Sequence, residues 1–291
     1  MNTALAHVVA AALGCPDSLA VDSQPVGGGD SHSAAMLTFG NDRCFVKSNQ
    51  RSFWQAFKTE ADALDAIEKT ATVRVPAVLG CGHTETAAWL ALEWLDLAPL
   101  NDAAASRLGT QLAELHRTTD SEHGWPGDNW IGGAVQKNAR TTDWPSFWMD
   151  QRLAPQIDRL RASSSDASLL RIVEQAADAS ARLLQSHAPQ PSLLHGDLWG
   201  GNAARDQRDG APVIFDPASY FGDRETDVAM TRLFGGFPPS FYDAYARALP
   251  PDDGHEKRIA LYNLYHALNH ANLFGAGYAG MVVRHAEQIV D

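Results

Sequence analysis

The sequence is poor in cysteine and lacks a long apolar run, and each absence excludes a class of protein. The chain of 291 residues contains three cysteines that form no Cys-x-x-Cys pair, Cys15, Cys44 and Cys81. An odd and scattered set argues against a disulfide framework and a zinc site, and it is typical of a reducing compartment. No segment approaches the roughly 20 apolar residues of a membrane span. We therefore expect a globular cytoplasmic protein.

Basic residues are scarce as well. The chain has 23 Lys and Arg against 35 Asp and Glu, which gives a formal net charge of −12. An acidic surface repels nucleic acid and anionic membranes, so we expect neither as a partner, whereas a neutral or cationic substrate is compatible. No Lys or Arg precedes Arg43, so the apolar N-terminal stretch lacks the positive region of an export signal. We interpret this stretch as an amphipathic helix whose inner side is formed by Leu5, Val8, Val9, Ala12 and Leu13.

Short apolar runs surround one long helical pattern in the N-terminal part of the chain. Two runs, "SAAMLTF" and "CFVK", flank the turn sequence Gly40-Asn41-Asp42 and predict a β-hairpin. Residues 52–70 repeat apolar side chains every three or four positions, which predicts a helix. Residues 72–94 then read as strand, turn and strand.

Helical patterns dominate the rest of the chain. They recur around residues 143–160, 166–187, 239–248 and 256–272. The sequence therefore predicts an α+β protein of two lobes, a small β-rich N-terminal lobe over residues 1–95 and a larger helical C-terminal lobe over residues 96–291.

The stretch "LLHGDLWGGN" carries the strongest chemical signal. It places Asp197 five residues before Asn202, and Asp216 follows fourteen residues later, after the apolar run "PVIF". This order is typical of a phosphotransferase, in which one aspartate accepts the proton of an attacking hydroxyl while an asparagine and a second aspartate hold Mg²⁺. Magnesium prefers such oxygen ligands. We predict Asp197 as the catalytic base and Asn202 and Asp216 as metal ligands.

The N-terminal lobe contains residues suited to binding ATP. Lys47 ends the "CFVK" strand, where it could contact the nucleotide phosphates, and Glu60 on the following helix could pair with it. The "GGGDSH" turn could cover the phosphates with backbone N–H groups. The stretch "LEWL" at the lobe junction could bind the adenine edge through backbone groups. The predicted nucleotide-binding residues are Gly28, Gly29, Lys47, Glu60, Glu93, Trp94 and Leu95.

Each of these signals alone has an ordinary structural explanation. The glycines could form a plain turn, Asp197 could cap a helix, and Asp216 before Pro217 could start a turn. Their occurrence together in kinase order favours a phosphotransferase. Gly196 stands where protein kinases have the arginine of His-Arg-Asp, "FDPA" replaces Asp-Phe-Gly, and no Ala-Pro-Glu follows. These differences favour a kinase without a phosphorylation switch.

The sequences of several stretches are more specific than the general kinase pattern. With "GDNWIGGAVQKN", "HGDLWGGN", "DPASYFGDRETD" and "LYNLYHALNHANLFG", the chain resembles the fructosamine kinase (ketosamine 3-kinase) family of the protein-kinase-like fold, which is related to aminoglycoside phosphotransferases and choline kinases. The resemblance implies ATP-dependent phosphorylation of the sugar 3-hydroxyl of a ketosamine, after which the unstable product sheds the sugar. The substrates would be small ketosamines or glycated proteins. A kinase of another hydroxylated amine and a catalytically silent nucleotide-binding module remain alternatives.

Further residues of the same region have two interpretations each. Trp199 could stack on the sugar or pack to hold the loop, while Asp223 and Glu225 could attract a cationic amine or belong to a solvated turn. By the same resemblance, Asp227 is the buried aspartate that hydrogen-bonds the catalytic-loop backbone, and His195 supports that loop. Animal and plant relatives carry a cysteine in the glycine loop. Because this loop has none, and contains Asp30 instead, we expect no redox control there.

Overall fold

An antiparallel five-stranded sheet forms most of the N-terminal lobe in the computed structural model, which describes residues 1–16, 18–27 and 32–290. Its spatial order is β1-β2-β3-β5-β4. The pairing of Phe39 with Asp42 closes β2 and β3 into the predicted hairpin, and Gly40 in the turn has a φ of +62°. The strands are β1 (Val21–Pro25), β2 (Ser33–Phe39), β3 (Asp42–Gln50), β4 (Val78–His83) and β5 (Ala87–Glu93).

Two helices cover the two faces of this sheet. Helix α1 (Thr3–Ala12) packs against Leu37, Val46 and Ala91, and α2 (Trp54–Lys69) buries its apolar stripe in the main core. Both helices were predicted, but the predicted inner side of α1 is partly wrong. Val8 is 42% exposed and Ala12 is also exposed, because the buried stripe is rotated by about one residue and consists of Leu5, Ala6, Val9 and Ala10.

The C-terminal lobe is mainly helical, as predicted. Its helices are α3 (Asp102–Leu115), α4 (Trp144–Trp148), α5 (Ala154–Ser163), α6 (Ala167–Leu184), α7 (Glu225–Leu233), α8 (Pro239–Ala248), α9 (His255–Phe274) and α10 (Ala279–Val290). Asn101 and Asp166 begin α3 and α6 by accepting hydrogen bonds from backbone N–H groups of the first turn. The predicted helix at 143–160 is divided into α4 and α5 by a π-helical turn at Met149–Leu153.

Short strands connect the helical lobe to the sheet. They are β6 (Leu97–Ala98), β7 (Asn129–Ile131), β8 (Ala134–Gln136), β9 (Ser192–Leu193), β10 (Ala203–Asp206), β11 (Pro212–Ile214) and β12 (Phe221–Gly222). Strand β10 pairs with both β11 and β6, and β6 follows directly on β5, so this small sheet lies at the junction of the lobes. The boundary at residues 95/96 stays a prediction, because one apolar cluster extends from Phe57 in α2 to Tyr262 in α9.

None of the described helices combines the length and the apolar character that crossing a bilayer requires.

Candidate active site

The loop between β9 and β10 carries His195, Gly196 and Asp197, and it is packed backbone to backbone against the segment that follows Asp216. The Ala218 N–H donates to the His195 carbonyl at 2.9 Å. Gly196 has a φ of +85°, and a Cβ at this position would lie 2.1 Å from the Ala218 oxygen. Only glycine fits such a conformation and approach. An arginine, which protein kinases have at this position of the motif, would collide here with the Ala218 carbonyl.

Asp227, in the first turn of α7, fixes the backbone of this loop through hydrogen bonds. Its Oδ2 accepts from the His195 N–H at 2.7 Å and its Oδ1 from the Gly196 N–H at 2.8 Å. His116 Nε2 lies 3.1 Å from the same carboxylate. Burial opposes the charge of Asp227, but the hydrogen bond from His116 and the surrounding donors outweigh it, so the pKa of Asp227 is lowered. The contacts are those expected of a loop-supporting residue.

The His195 ring also braces the loop. Burial lowers the pKa of His195, so the ring is neutral near pH 7. Its Nε2 donates to the Phe215 carbonyl at 3.0 Å, and its Nδ1 accepts from the Asp197 N–H at 3.3 Å. A single neutral tautomer satisfies both bonds. His195 thus links the catalytic loop to the end of β11.

The Asp197 carboxyl group faces the cavity between the lobes. Burial, followed by the negative charge of Asp216, raises the pKa of Asp197 to about 7. Asn202 Nδ2 lies 3.3 Å from Asp197 Oδ2. A carboxylate with a pKa near the working pH is suited to accept a proton in a transition state.

Asn202 and Asp216 present oxygen atoms to the same cavity. Asn202 Nδ2 donates to the Asp197 carbonyl at 2.8 Å, and because a carbonyl can only accept, the amide orientation is fixed with Oδ1 on the other side. Oδ1 has no hydrogen-bond partner within the described ranges. The Asp216 side chain is 43% exposed, and its backbone has a φ of +59°, which aspartate tolerates better than most residues. One amide and one carboxylate oxygen fit Mg²⁺, which takes few protein carboxylates.

Lys47 on β3 connects the two lobes at this point. Its Nζ lies 2.7 Å from Glu60 Oε1 on α2 and 2.6 Å from Asp216 Oδ1. Burial disfavours the ammonium charge, but the two carboxylates outweigh it and raise the pKa of Lys47 above its ordinary value. Lys47 is therefore a fixed cation at the side of the cavity formed by the sheet.

The cavity has a volume of about 380 Å³ and two chemically different walls. Lys47, Glu60, Asp197, Asn202 and Asp216 line one wall. Rings form much of the other wall. Ring centroids are 5.6 Å apart for Trp199 and Phe234, 4.8 Å for Phe234 and His270, and 5.3 Å for His270 and Tyr278. The aromatic residues of this wall are Trp130, Trp199, Phe234, His270, Phe274 and Tyr278.

Some of the predicted nucleotide-binding residues lie elsewhere. Glu93, Trp94 and Leu95 are at the lobe junction but do not line this cavity. The Glu93 N–H donates to the Ala77 carbonyl at 2.8 Å, and its carboxylate pairs with Arg74 at 3.0 Å. Gly28 and Gly29, like Asp30, lie outside the described residues. Adenine binding by residues 93–95 and phosphate binding by the glycines stay predictions.

The structure corrects the assignment of Asp223 and Glu225 to the substrate. Both are buried, and neither lines the catalytic cavity. Asp223 Oδ2 lies 2.6 Å from His187 Nε2, and Glu225 accepts from Arg258 at 2.6 and 2.9 Å. Buried carboxylates held by these partners are not available to an amine, and they are not a solvated turn either. Glu225 joins the start of α7 to α9, and Asp223 joins the segment before α7 to the segment that follows α6.

The hairpin of β7 and β8 contains supporting residues that sequence reasoning missed. Asn129 Nδ2 donates to the Ser219 carbonyl at 2.8 Å, and Gln136 Nε2 donates to the Ala218 carbonyl at 3.1 Å. The hairpin thus holds the segment after Asp216 in place. The signal in the sequence is an Asn and a Gln within "GDNWIGGAVQKN", a stretch that also carries the family resemblance.

Arg152 anchors this hairpin from the helical side. The side chain is fully buried, and it has no carboxylate partner in the part of the chain that the structure describes. Its Nη2 donates to Asn138 Oδ1 at 2.8 Å, and the guanidinium lies 4.0 Å from the Tyr220 ring centroid and 4.7 Å from that of Phe147. Cation–π contacts stabilise a guanidinium that lacks an acidic partner.

The five-stranded sheet, the helical lobe and the cluster at their junction define a kinase of the protein-kinase-like fold. An aminoglycoside phosphotransferase, APH(4)-Ia, solved as a ternary complex with ADP and hygromycin B, shares this fold. It matches with a TM-score of 0.67 at 17% identity, over 99% of this chain and 98% of that chain.

The chain belongs to the fructosamine kinase family, whose model matches residues 1–291. A "probable ketoamine kinase" of Vibrio parahaemolyticus is 42% identical over 253 residues, which are 86% of this chain and 86% of the relative. The chloroplastic protein-ribulosamine 3-kinase of Arabidopsis thaliana is 38% identical over 256 residues, 87% of this chain and 78% of the relative. A crystal structure of a candidate fructosamine-3-kinase from Haemophilus somnus has a TM-score of 0.88 at 27% identity, covering 99% and 97% of the two chains.

Proposed function

We propose that this kinase transfers the γ-phosphoryl group of ATP to the 3-hydroxyl of the sugar in a ketosamine. The observation that carries the proposal is the position of Lys47, Asp197, Asn202 and Asp216 around one cavity, where the pKa of Asp197 is raised to about 7. Family membership and the 3-kinase names of the relatives support the position of the hydroxyl.

The nucleotide would lie on the sheet side of the cavity. Lys47, aligned by Glu60, would bind the phosphates, and backbone N–H groups of Gly28 and Gly29 would cover them. Beyond the cavity, at the lobe junction, the Glu93 carbonyl and backbone groups of Leu95 would bind the adenine edge, since the Glu93 N–H already donates to Ala77. Asn202 Oδ1 and the Asp216 carboxylate would hold Mg²⁺, which when bound neutralises charge on the phosphate oxygens. The fit of these two oxygens to the ion supports this part of the proposal.

Asp197 then acts on the sugar hydroxyl. The hydroxyl oxygen attacks the γ-phosphorus, its proton passes to the Asp197 carboxylate, and ADP leaves. Most of the rate enhancement in phosphoryl transfer comes from positioning and charge, so the rigid support of the loop by Asp227 and His195 contributes directly.

The aromatic wall is suited to the rest of the ketosamine. The amine of such an adduct is a cation at neutral pH, and aromatic faces attract cations. A Cβ on Gly201 would lie 2.3 Å from the Trp199 ring, so one side of the indole packs on its own loop. The ring nevertheless lines the cavity and is 37% exposed. The exposed part favours stacking of Trp199 on the sugar over a purely packing role. The wall takes the place of the carboxylates that the sequence suggested for the amine.

The compartment and the physiological substrate belong to the proposal as well. The three cysteines remain free thiols, which fits a cytoplasmic location. Free ketosamines would be one source of the substrate, and glycated protein side chains are a second source of the same chemical group.

The decisive experiment uses ketosamines of four-, five- and six-carbon sugars, with choline and an aminoglycoside as comparison substrates. We expect ATP-dependent phosphorylation of at least one ketosamine, with the phosphate on O3 by ³¹P and ¹³C NMR, and none by Asp197→Asn. Phosphorylation of choline or the aminoglycoside alone, or of another hydroxyl, would overturn the proposal.

A further inference from the structure

Three side-chain amides form a chain of hydrogen bonds that ends at the catalytic cavity. Asn272 Nδ2 donates to the Gln156 backbone carbonyl at 2.9 Å and to Gln156 Oε1 at 2.8 Å. Gln156 Nε2 in turn donates to Asn269 Oδ1 at 3.0 Å. Asn269 and Asn272 belong to α9, whereas Gln156 belongs to α5.

The direction of this amide relay is fixed by its first member. A backbone carbonyl can only accept, so the NH₂ group of Asn272 must face Gln156. The same NH₂ group meets the Gln156 side-chain oxygen, which leaves the Gln156 NH₂ group to face Asn269. Each amide orientation therefore follows from the preceding one, and Asn269 must accept through Oδ1.

One donor of this chain of amides, Asn269 Nδ2, is not used within the chain. Asn269 lines the cavity that contains Asp197 and is 2% exposed to solvent. Its Nδ2 has no hydrogen-bond partner among residues 1–16, 18–27 and 32–290. A ligand that fills this cavity would shield Nδ2 from water, so this donor calls for an acceptor on the ligand.

We propose that Asn269 is a specificity-determining residue that donates a hydrogen bond from Nδ2 to a sugar oxygen of the substrate. This inference rests on the proposed function. The oxygen is not that of the 3-hydroxyl, because a donated hydrogen bond would weaken the lone pair that attacks phosphorus. A site with a fixed donor rejects analogues that lack the matching acceptor, since the donor is then left unpaired. Gln156 acts as a positioning residue.

The first test combines Asn269→Leu with ketosamine analogues in which each oxygen except O3 is replaced by hydrogen in turn. For the parent substrate, kcat/KM of the variant should be about tenfold lower than that of the unaltered protein. KM for ATP should be unchanged and serves as the control. For one analogue, the variant and the unaltered protein should have the same kcat/KM, because that analogue already lacks the acceptor. An equal loss on every member of the series would overturn the inference.

The second test moves the donor without altering the cavity wall. Gln156 does not line the cavity. Gln156→Met removes the bond that orients Asn269 and should lower kcat/KM by about threefold, with the same dependence on the analogue. Gln175→Met, on the exposed face of α6, is the matched control, and melting temperatures check the fold of each variant.

The outcomes separate the two proposals. If the unaltered protein phosphorylates O3 of a ketosamine but both variants keep the same ranking of analogues, the role of Asn269 is wrong and the proposed function stands. If no ketosamine is phosphorylated, both are overturned.

Discussion

Lys47 Nζ and Asp216 Oδ1 lie 2.6 Å apart, and this contact joins strand β3 of the N-terminal lobe to the segment after β11 in the C-terminal lobe. The two residues that would contact phosphate and metal are thus in direct contact with each other. Glu60 binds the same ammonium group, so Lys47 would keep one carboxylate partner if Asp216 bound a metal ion. The predictions below test this arrangement and the loop beside it.

Replacing Asp197 by asparagine should lower kcat about 10³-fold, because the variant cannot accept the hydroxyl proton. Folding and ATP binding should be preserved, since Asn202 contacts the backbone carbonyl of residue 197, which the substitution leaves in place. Single-turnover phosphoryl transfer measures the first effect and calorimetry with Mg·ATP the second. Near-normal transfer would show that Asp197 is not the base.

The pH profile should reflect the raised pKa of Asp197. Because the base must be ionised, kcat/KM should rise with pH up to about 7 and then level off. The profile is measured with both substrates far below saturation, so that it reports the free enzyme, in which Asp216 contributes its full negative charge. A rise that is complete by pH 5 would contradict the raised pKa.

The same pKa predicts a stability difference with a definite sign. The folded protein holds the Asp197 proton up to about pH 7, whereas the unfolded chain releases it near the ordinary value of 3.8. The stabilisation from this carboxyl group is therefore present below about pH 4 and is lost as pH rises through 7. Asp197→Asn has no carboxyl group at this position and does not lose this stabilisation. The melting temperature of the variant minus that of the unaltered protein should therefore increase from pH 5 to pH 8. A constant difference would count against the assignment.

Asp216→Ala should abolish measurable binding of Mg·ATP, because it removes a metal-binding oxygen and leaves Lys47 with Glu60 alone. Calorimetry with and without magnesium gives the test. Asp178→Ala, exposed on α6, is the control for the loss of one carboxylate. Unchanged affinity of Asp216→Ala for Mg·ATP would remove Asp216 from the metal site.

Gly196→Ala should destabilise the protein by at least about 2 kcal/mol, because alanine strains the backbone at a φ of +85° and its Cβ collides with the Ala218 carbonyl. Gly200→Ala, in the same loop, is the matched control, since its Cβ would meet no atom within 4 Å. Urea unfolding compares the two. Equal stability of both variants would show that the contact with Ala218 is not restrictive.

The sequence predicted the elements whose pattern is local. The hairpin of β2 and β3 is encoded by two apolar runs around Gly40, and α2 by its apolar spacing. The inner face of α1 was assigned wrongly because its alanine-rich sequence has no clear polar side from which to fix the rotation.

The parts of the site that were missed depend on distant partners. The sequence suggests a substrate contact or a solvated turn for Glu225, but its partner Arg258 comes 33 residues later, on α9. Asn129 binds a carbonyl 90 residues away, and nothing in its own neighbourhood indicates that contact. Periodicity describes which face of an element is apolar, but it does not pair side chains across the fold.

The contact between Gly196 and Ala218 has a consequence for the energetics of binding. A protein kinase that must be switched on spends part of its time in conformations that cannot bind productively, and its apparent affinity falls by that fraction. Here the loop with the predicted base and the segment with the predicted metal ligand are joined by backbone contact. We therefore expect no loss of apparent affinity from rearrangement of these two segments, and a rate that follows the concentrations of the two substrates.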